Sequence, residues 1–72
     1  MLKDILAQKG LSHREAEVAE LVSKGLSNKE VANLLNISVT TVETHRGHIL
    51  QKLDIHSVPE LILYAVRKGI IS

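Results

Sequence analysis

The sequence predicts an all-α fold, a small four-helix bundle, and three observations carry that expectation. Helix-period apolar spacing recurs four times along the chain, each time just after a Ser able to cap a helix. Gly25, Asn36 and Gly69, residues suited to a left-handed C-terminal cap, follow three of those runs. Hydrophobic residues make up 44% of the chain and Tyr64 is its one aromatic, so the core has to be built from Leu, Ile, Val and Ala. At 72 residues there is room for one domain, near the lower limit at which a hydrophobic core folds unaided. Residues 1–10 read as a lead segment, with a short helical turn expected over Leu2 to Gln8, and residues 11–72 as the domain.

The first helix is expected over His13 to Lys24. Ser12 and Glu15 form a capping box, in which the Ser oxygen accepts from a free backbone N–H and the Glu carboxylate reaches back to the Ser N–H. Leu11 before the cap pairs with Ala16, a hydrophobic staple that sets the direction in which the chain joins the helix. Val18, Leu21 and Val22 face inward, and the acids Glu15, Glu17 and Glu20 are assigned to the solvent side.

The second helix, Asn28 to Leu35, repeats the device with Ser27, Glu30 and the staple Leu26–Val31, and turns Val31, Leu34 and Leu35 inward. The third, Val39 to Leu53, has Ser38 as cap with Thr41 where the carboxylate would stand, and Ile37–Val42 as staple. Its inward set is Val42, Ile49, Leu50 and Leu53. The fourth, Val58 to Lys68, starts from a box of Ser57 and Glu60 with Pro59 tolerated in the first turn, and turns Leu61, Ile62 and Ala65 inward.

Only Asn36, Ile37 and Ser38 join the second and third helices, too few to let them lie antiparallel, so a steep crossing is expected: a helix-turn-helix over about residues 27–46. Ala32 lets the helices approach closely, and Asn36 tolerates the positive φ that the turn needs. The net charge of +1 is a weak pointer to nucleic acid, but its distribution is informative. Between Ser27 and Leu53, Lys29, Arg46 and Lys52 stand against Glu30 and Glu43.

Other classes are disfavoured. The absence of Cys leaves no disulfide framework and no thiolate chemistry, which suits the cytoplasm. Apolar runs are short and no secretion signal opens the chain. The hydroxyls are mostly caps and no nucleophile, base and orienting group converge, so an enzyme is not expected. His45 and His48 stand three apart on one helix, but no Cys or evident carboxylate completes a metal site.

Leu11-Ser12-His13-Arg14-Glu15, Gly25-Leu26-Ser27-Asn28-Lys29-Glu30-Val31-Ala32, Ile37-Ser38, Thr41-Val42-Glu43-Thr44-His45-Arg46, Lys52-Leu53 and Arg67-Lys68-Gly69-Ile70-Ile71 together resemble the LuxR/NarL/GerE-type DNA-binding domains of bacterial transcription regulators. The likeness runs through most of the chain in order. It departs at Glu43, where the family often has Lys, and at Val58, where it often has Arg.

The resemblance implies sequence-specific binding of double-stranded DNA, with the recognition helix 39–53 in the major groove. It further implies a homodimer on inverted half-sites, RNA polymerase as a partner when the protein activates, and no cofactor, small molecule or membrane. Base contacts are then expected from Glu43, which can accept from cytosine N4, from Thr44, and at Gly47, which allows close approach. Phosphate contacts are expected from Ser27, Asn28, Lys29, Ser38, Thr40, Thr41, His45, Arg46 and Lys52. The dimer contact is expected on the fourth helix, at Val58, Leu61, Ile62, Leu63, Tyr64 and Ala65. The rival reading is a helical protein–protein interaction module that binds no DNA.

Overall fold

The structure, a computed structural model, describes residues 8–67. Four helices follow one another among them: α1 (His13–Ser23), α2 (Asn28–Leu35), α3 (Val39–Lys52) and α4 (Val58–Arg67). The expected cap at Gly69, the helical position Lys68 and nearly all of the expected leading turn over Leu2 to Gln8 lie outside the described residues.

The caps explain the boundaries. Ser12 Oγ accepts from the Glu15 N–H at 3.1 Å and Glu15 Oε1 accepts from the Ser12 N–H at 2.9 Å. Ser27 and Glu30 repeat the pair at 3.2 and 2.9 Å, and the Ser27 backbone N–H holds the Glu30 carboxyl below its ordinary value. At the start of α3 a hydroxyl replaces the carboxylate: Ser38 Oγ accepts from the Thr41 N–H at 3.0 Å and lies 2.8 Å from Thr41 Oγ1. The box at the start of α4 closes differently. Ser57 Oγ takes the Glu60 N–H only at 3.4 Å, and the Glu60 carboxylate accepts from the His56 N–H, not from that of Ser57.

Helix ends obey the same chemistry. Gly25 has φ +94° and Asn36 φ +56°, as expected of left-handed caps, and Asp54 adds a third at φ +56° after α3. The backbone bonds Leu26 N–H to Leu21 carbonyl and Ile55 N–H to Leu50 carbonyl close the ends of α1 and α3.

The core is one cluster that includes Val18, Ala19 and Val22 of α1, Val31 and Ala32 of α2, Val42 and Ile49 of α3 and Leu61 of α4. The three staples contribute to it, with Leu11 and Ala16 buried and Leu26 and Ile37 packed against its edge. α1 is the central helix, packed on α2, α3 and α4, while α2 also packs on α3. Leu34, expected inside, is 65% exposed. The physical reason is Ala32: the short side chain is buried at 4% exposure, so α2 turns its Val31–Ala32–Leu35 side to the core and swings Leu34 out. No helix of the described residues is long and apolar enough to cross a membrane.

Candidate nucleic-acid interface

Two surfaces remain after the core is packed. The first is the outward side of α3. Burying Val42 and Ile49 fixes the rotation of the helix, and 3.6-residue periodicity then brings Thr40, Glu43, Thr44, Gly47, His48 and Gln51 to the opposite side, where all are exposed. Thr44 Oγ1 donates to the Thr40 carbonyl at 3.1 Å. Its proton is thereby engaged, and the hydroxyl oxygen and the methyl group are what it can offer a partner.

The helix-turn-helix brings the beginning of α2 alongside α3. Arg46 of α3 donates from its guanidinium to Asn28 Oδ1 at 2.7 Å, in a half-buried contact. Asn28 is the first residue of α2, so this bond fixes a cation at the helix end whose free N–H groups carry partial positive charge. The Ser27 cap satisfies the N–H of Glu30; those of Asn28 and Lys29 precede it, with the Lys29 side chain exposed beside them. Ser27, Ser38 and Thr40 are exposed and Thr41 half-buried, but the Ser27 and Ser38 hydroxyls already serve as caps. His45 is half-buried, and its Nδ1 is enclosed with no hydrogen-bond partner among the described residues, which leaves Nε2 as the ring nitrogen able to serve a ligand.

Lys52 lies elsewhere. Its ammonium donates to Glu15 Oε1 at 2.7 Å and to the Gly10 carbonyl at 3.2 Å, tying the end of α3 to the start of α1. His48 Nδ1 approaches the other carboxylate oxygen of Glu15 at 3.4 Å. Glu15, expected on the solvent side, is buried, with a side chain only 6% exposed. The Lys52 hydrogen bond, followed by the one from the Ser12 N–H, lowers its pKa from 4.5 to about 2. Glu17 and Glu20 are half-buried and pair with Arg14 and Lys24 at the surface. The sequence contains no local signal for either long-range bond, since 37 residues separate Glu15 from Lys52 and 18 separate Asn28 from Arg46.

The second surface belongs to α4. Leu61 and Ala65, expected at a dimer contact, are buried in the chain's own core at 3% and 0% exposure, and Val58 and Tyr64 pack against it. The side of α4 left over carries Pro59, Leu63, Val66 and the half-buried Ile62, which was expected inward but does not belong to the core, at the i, i+3, i+4, i+7 spacing of a single helical stripe. Leu63 and Val66 are large apolar residues open to solvent. Beside them Ile55, Glu60, Tyr64 and Arg67 line a shallow groove that Leu63 shares.

The profile of a family described as bacterial regulatory proteins, luxR family, matches residues 9–65. The oxygen regulatory protein NreC of Staphylococcus carnosus (strain TM300) is 51% identical over 61 residues, which are 85% of this chain and 28% of that protein. A response regulatory protein of Escherichia coli (strain K12), YgeK, described as uncharacterized, is 52% identical over 60 residues, 83% of this chain and 41% of that protein. NreC of Staphylococcus haemolyticus (strain JCSC1435) is 49% identical over 61 residues, again 28% of its length. The chain thus spans between 28% and 41% of the length of these relatives.

Proposed function

The chain belongs to the luxR family of bacterial regulatory proteins, a family of DNA-binding transcription regulators, and on that premise we propose that it binds double-stranded DNA with α3 lying in the major groove. The observation that carries the proposal is the Arg46–Asn28 bond, which joins a cation on α3 to the N-terminus of α2 beside an outward face of α3 that no other part of the described chain covers. A phosphate bridging that junction would meet Arg46, Lys29 and the leading N–H groups of α2 together, while the exposed stripe of α3 reaches base edges. Ser27, Ser38, Thr40, Thr41 and His45 lie near enough in sequence to the two helix starts to add phosphate contacts. Lys52 is left out of this set because Glu15 neutralises it.

Glu43 and Thr44 are the proposed base readers. Glu43 is an acceptor only, which suits a cytosine amino group, and Thr44 presents an acceptor oxygen and a methyl group. The apolar stripe of α4 is proposed as the seam of a homodimer on DNA, so that two-fold symmetry demands inverted half-sites.

Fluorescence anisotropy with short duplexes over a range of salt tests the reading. Arg46→Ala and Lys29→Ala are each expected to weaken binding to every sequence alike and to reduce the slope of log K against log salt by about 1. Retention of the full slope in Arg46→Ala would remove the phosphate seat from the junction of α2 and α3.

A further inference from the structure

Away from the outer sides of α3 and α4 lies a groove between α1 and α2, lined by Glu17, Glu20, Leu21, Leu34 and Leu35, with a volume of about 210 Å³. We infer that this groove docks a helix of a second protein, one that offers a leucine-like side chain flanked by Lys or Arg, and that it stays open while the domain is on DNA. None of its lining residues belongs to the proposed DNA interface.

At 65% exposure Leu34 is the most open of the large apolar side chains among the described residues. Its neighbours in the groove, Leu21 and Leu35, are half-buried and rest on the core. A single surface leucine is ordinary, but one that continues two others forms a contiguous apolar surface. The volume falls below the roughly 300–1,000 Å³ of sites that enclose a small ligand, so it suits one or two side chains projecting from a larger partner. Two packed helices that leave such a gap offer a seat for the ridge of a third.

The charge on the rim decides which helix fits. Glu17 and Glu20 stand on the α1 side, and Glu30 is exposed one turn before Leu34 on α2. α2 has no basic residue in its last turn, so the partial negative charge of its C-terminal end adds to theirs. The neighbouring cations are Arg14, 3.8 Å from Glu17, and Lys24, 3.2 Å from Glu20, with His13 3.5 Å from Glu17. None of them lines the groove, and exposed pairs of this kind are weak enough for an incoming Lys or Arg to replace. A second copy of the chain fits less well: its free apolar side is the α4 stripe, and α4 seated between α1 and α2 makes a head-to-tail contact that two copies cannot close.

The groove also lies on a different side of α2 from the phosphate seat. Leu34 is roughly 120° around the helix from Asn28 and roughly 140° from Lys29. Asn28 is the residue tied to α3 through Arg46, so a helix docked on Leu34 leaves that junction accessible.

Fluorescence anisotropy of a labelled peptide, measured on the 72-residue chain without DNA, tests the inference. The probe is an amphipathic helix of about 18 residues made of Leu and Lys alone, and its counterpart has Glu in place of every Lys. The Lys peptide is expected to bind at least about tenfold more tightly than the Glu peptide. Leu34→Ser is expected to weaken it about tenfold, and Glu17→Gln combined with Glu20→Gln about threefold, with a shallower salt dependence. Leu63→Ser on α4 is expected to stay within about twofold of the parent, which separates the groove from the other apolar surface. All these positions lie outside the core, so melting temperatures should stay within about 4 °C of the parent. Equal binding of the two peptides, unchanged affinity in Leu34→Ser or in the double variant, or an equal loss in Leu63→Ser overturns the inference. So does sedimentation in which the parent self-associates and Leu34→Ser does not, because the groove then belongs to a second copy. A duplex titration keeps the two readings apart. Leu34→Ser is expected to bind duplex within about twofold of the parent, and a larger loss would move the groove to the DNA side. A parent that binds the Lys peptide but no duplex would overturn the DNA reading alone.

Discussion

Glu15 is the residue at which local and long-range chemistry meet. Its carboxylate closes the capping box of α1 and at the same time neutralises Lys52 at the far end of α3, with His48 against its second oxygen. Because its pKa falls from 4.5 in an unfolded chain to about 2 in the fold, the stabilisation is fully present above pH 4.5 and is lost as the pH drops towards 2. The loss across that window is expected to be about 2–3 kcal/mol, as Lys52 is partly exposed and its attraction partly screened. Urea denaturation at stepwise pH measures it, and Glu15→Gln should flatten the profile between pH 5 and pH 2 by about the same amount. A profile equally steep in the variant would assign acid lability to other carboxylates. Local sequence exposed only half of this residue, its capping role; the partner 37 positions away was invisible because nothing near Glu15 encodes where the end of α3 comes to rest.

At the scale of the element, the helix-turn-helix depends on a single left-handed residue. Asn36 ends α2 with φ +56° and ψ +47°, and its N–H returns to the Ala32 carbonyl. Two residues later Ser38 already caps α3, so the turn has no slack in which to absorb another conformation. Asn36→Ala is expected to destabilise the domain by about 1 kcal/mol, since a Cβ without a polar group is strained there, while Asn36→Gly is expected to stay within about 0.5 kcal/mol of the parent. Chemical denaturation of both variants checks the difference, and equal stability of the two would show that the turn can relax. Asp54 plays the corresponding part after α3, and a sequence reader looking only for Gly and Asn passes over it.

At the scale of the whole molecule, the dimer reading rests on the apolar stripe of α4. The domain measures 29 × 23 × 22 Å, so two copies side by side can place their α3 helices about one DNA turn, roughly 34 Å, apart. Half-sites centred about 10 bp apart should then bind cooperatively, and moving them by about 5 bp, half a helical turn, should abolish that cooperativity. Leu63→Glu and Val66→Glu are expected to remove cooperativity while leaving affinity for a single half-site unchanged, because neither side chain belongs to the core. A gel-shift series on paired and single half-sites reads both effects. Cooperativity that survives both substitutions would move the contact off α4. One helix per partner buries little area, so association without DNA is expected to be weak.

What the sequence alone determined is what short range determines. Helix number, type and boundaries could be read because caps, staples and left-handed stops act within five or six residues, and the outward face of α3 followed because Val42 and Ile49 fix the rotation of one helix. Tertiary structure decided which apolar residues each helix could keep for itself and which charges were free. Ala32 turned Leu34 into the solvent; α1 claimed Leu61 and Ala65 and left Leu63 and Val66 outside; Glu15 took Lys52; and Asn28 fixed Arg46. Each of these outcomes is a competition between elements for one surface or one charge, and it is settled only when the elements are packed together.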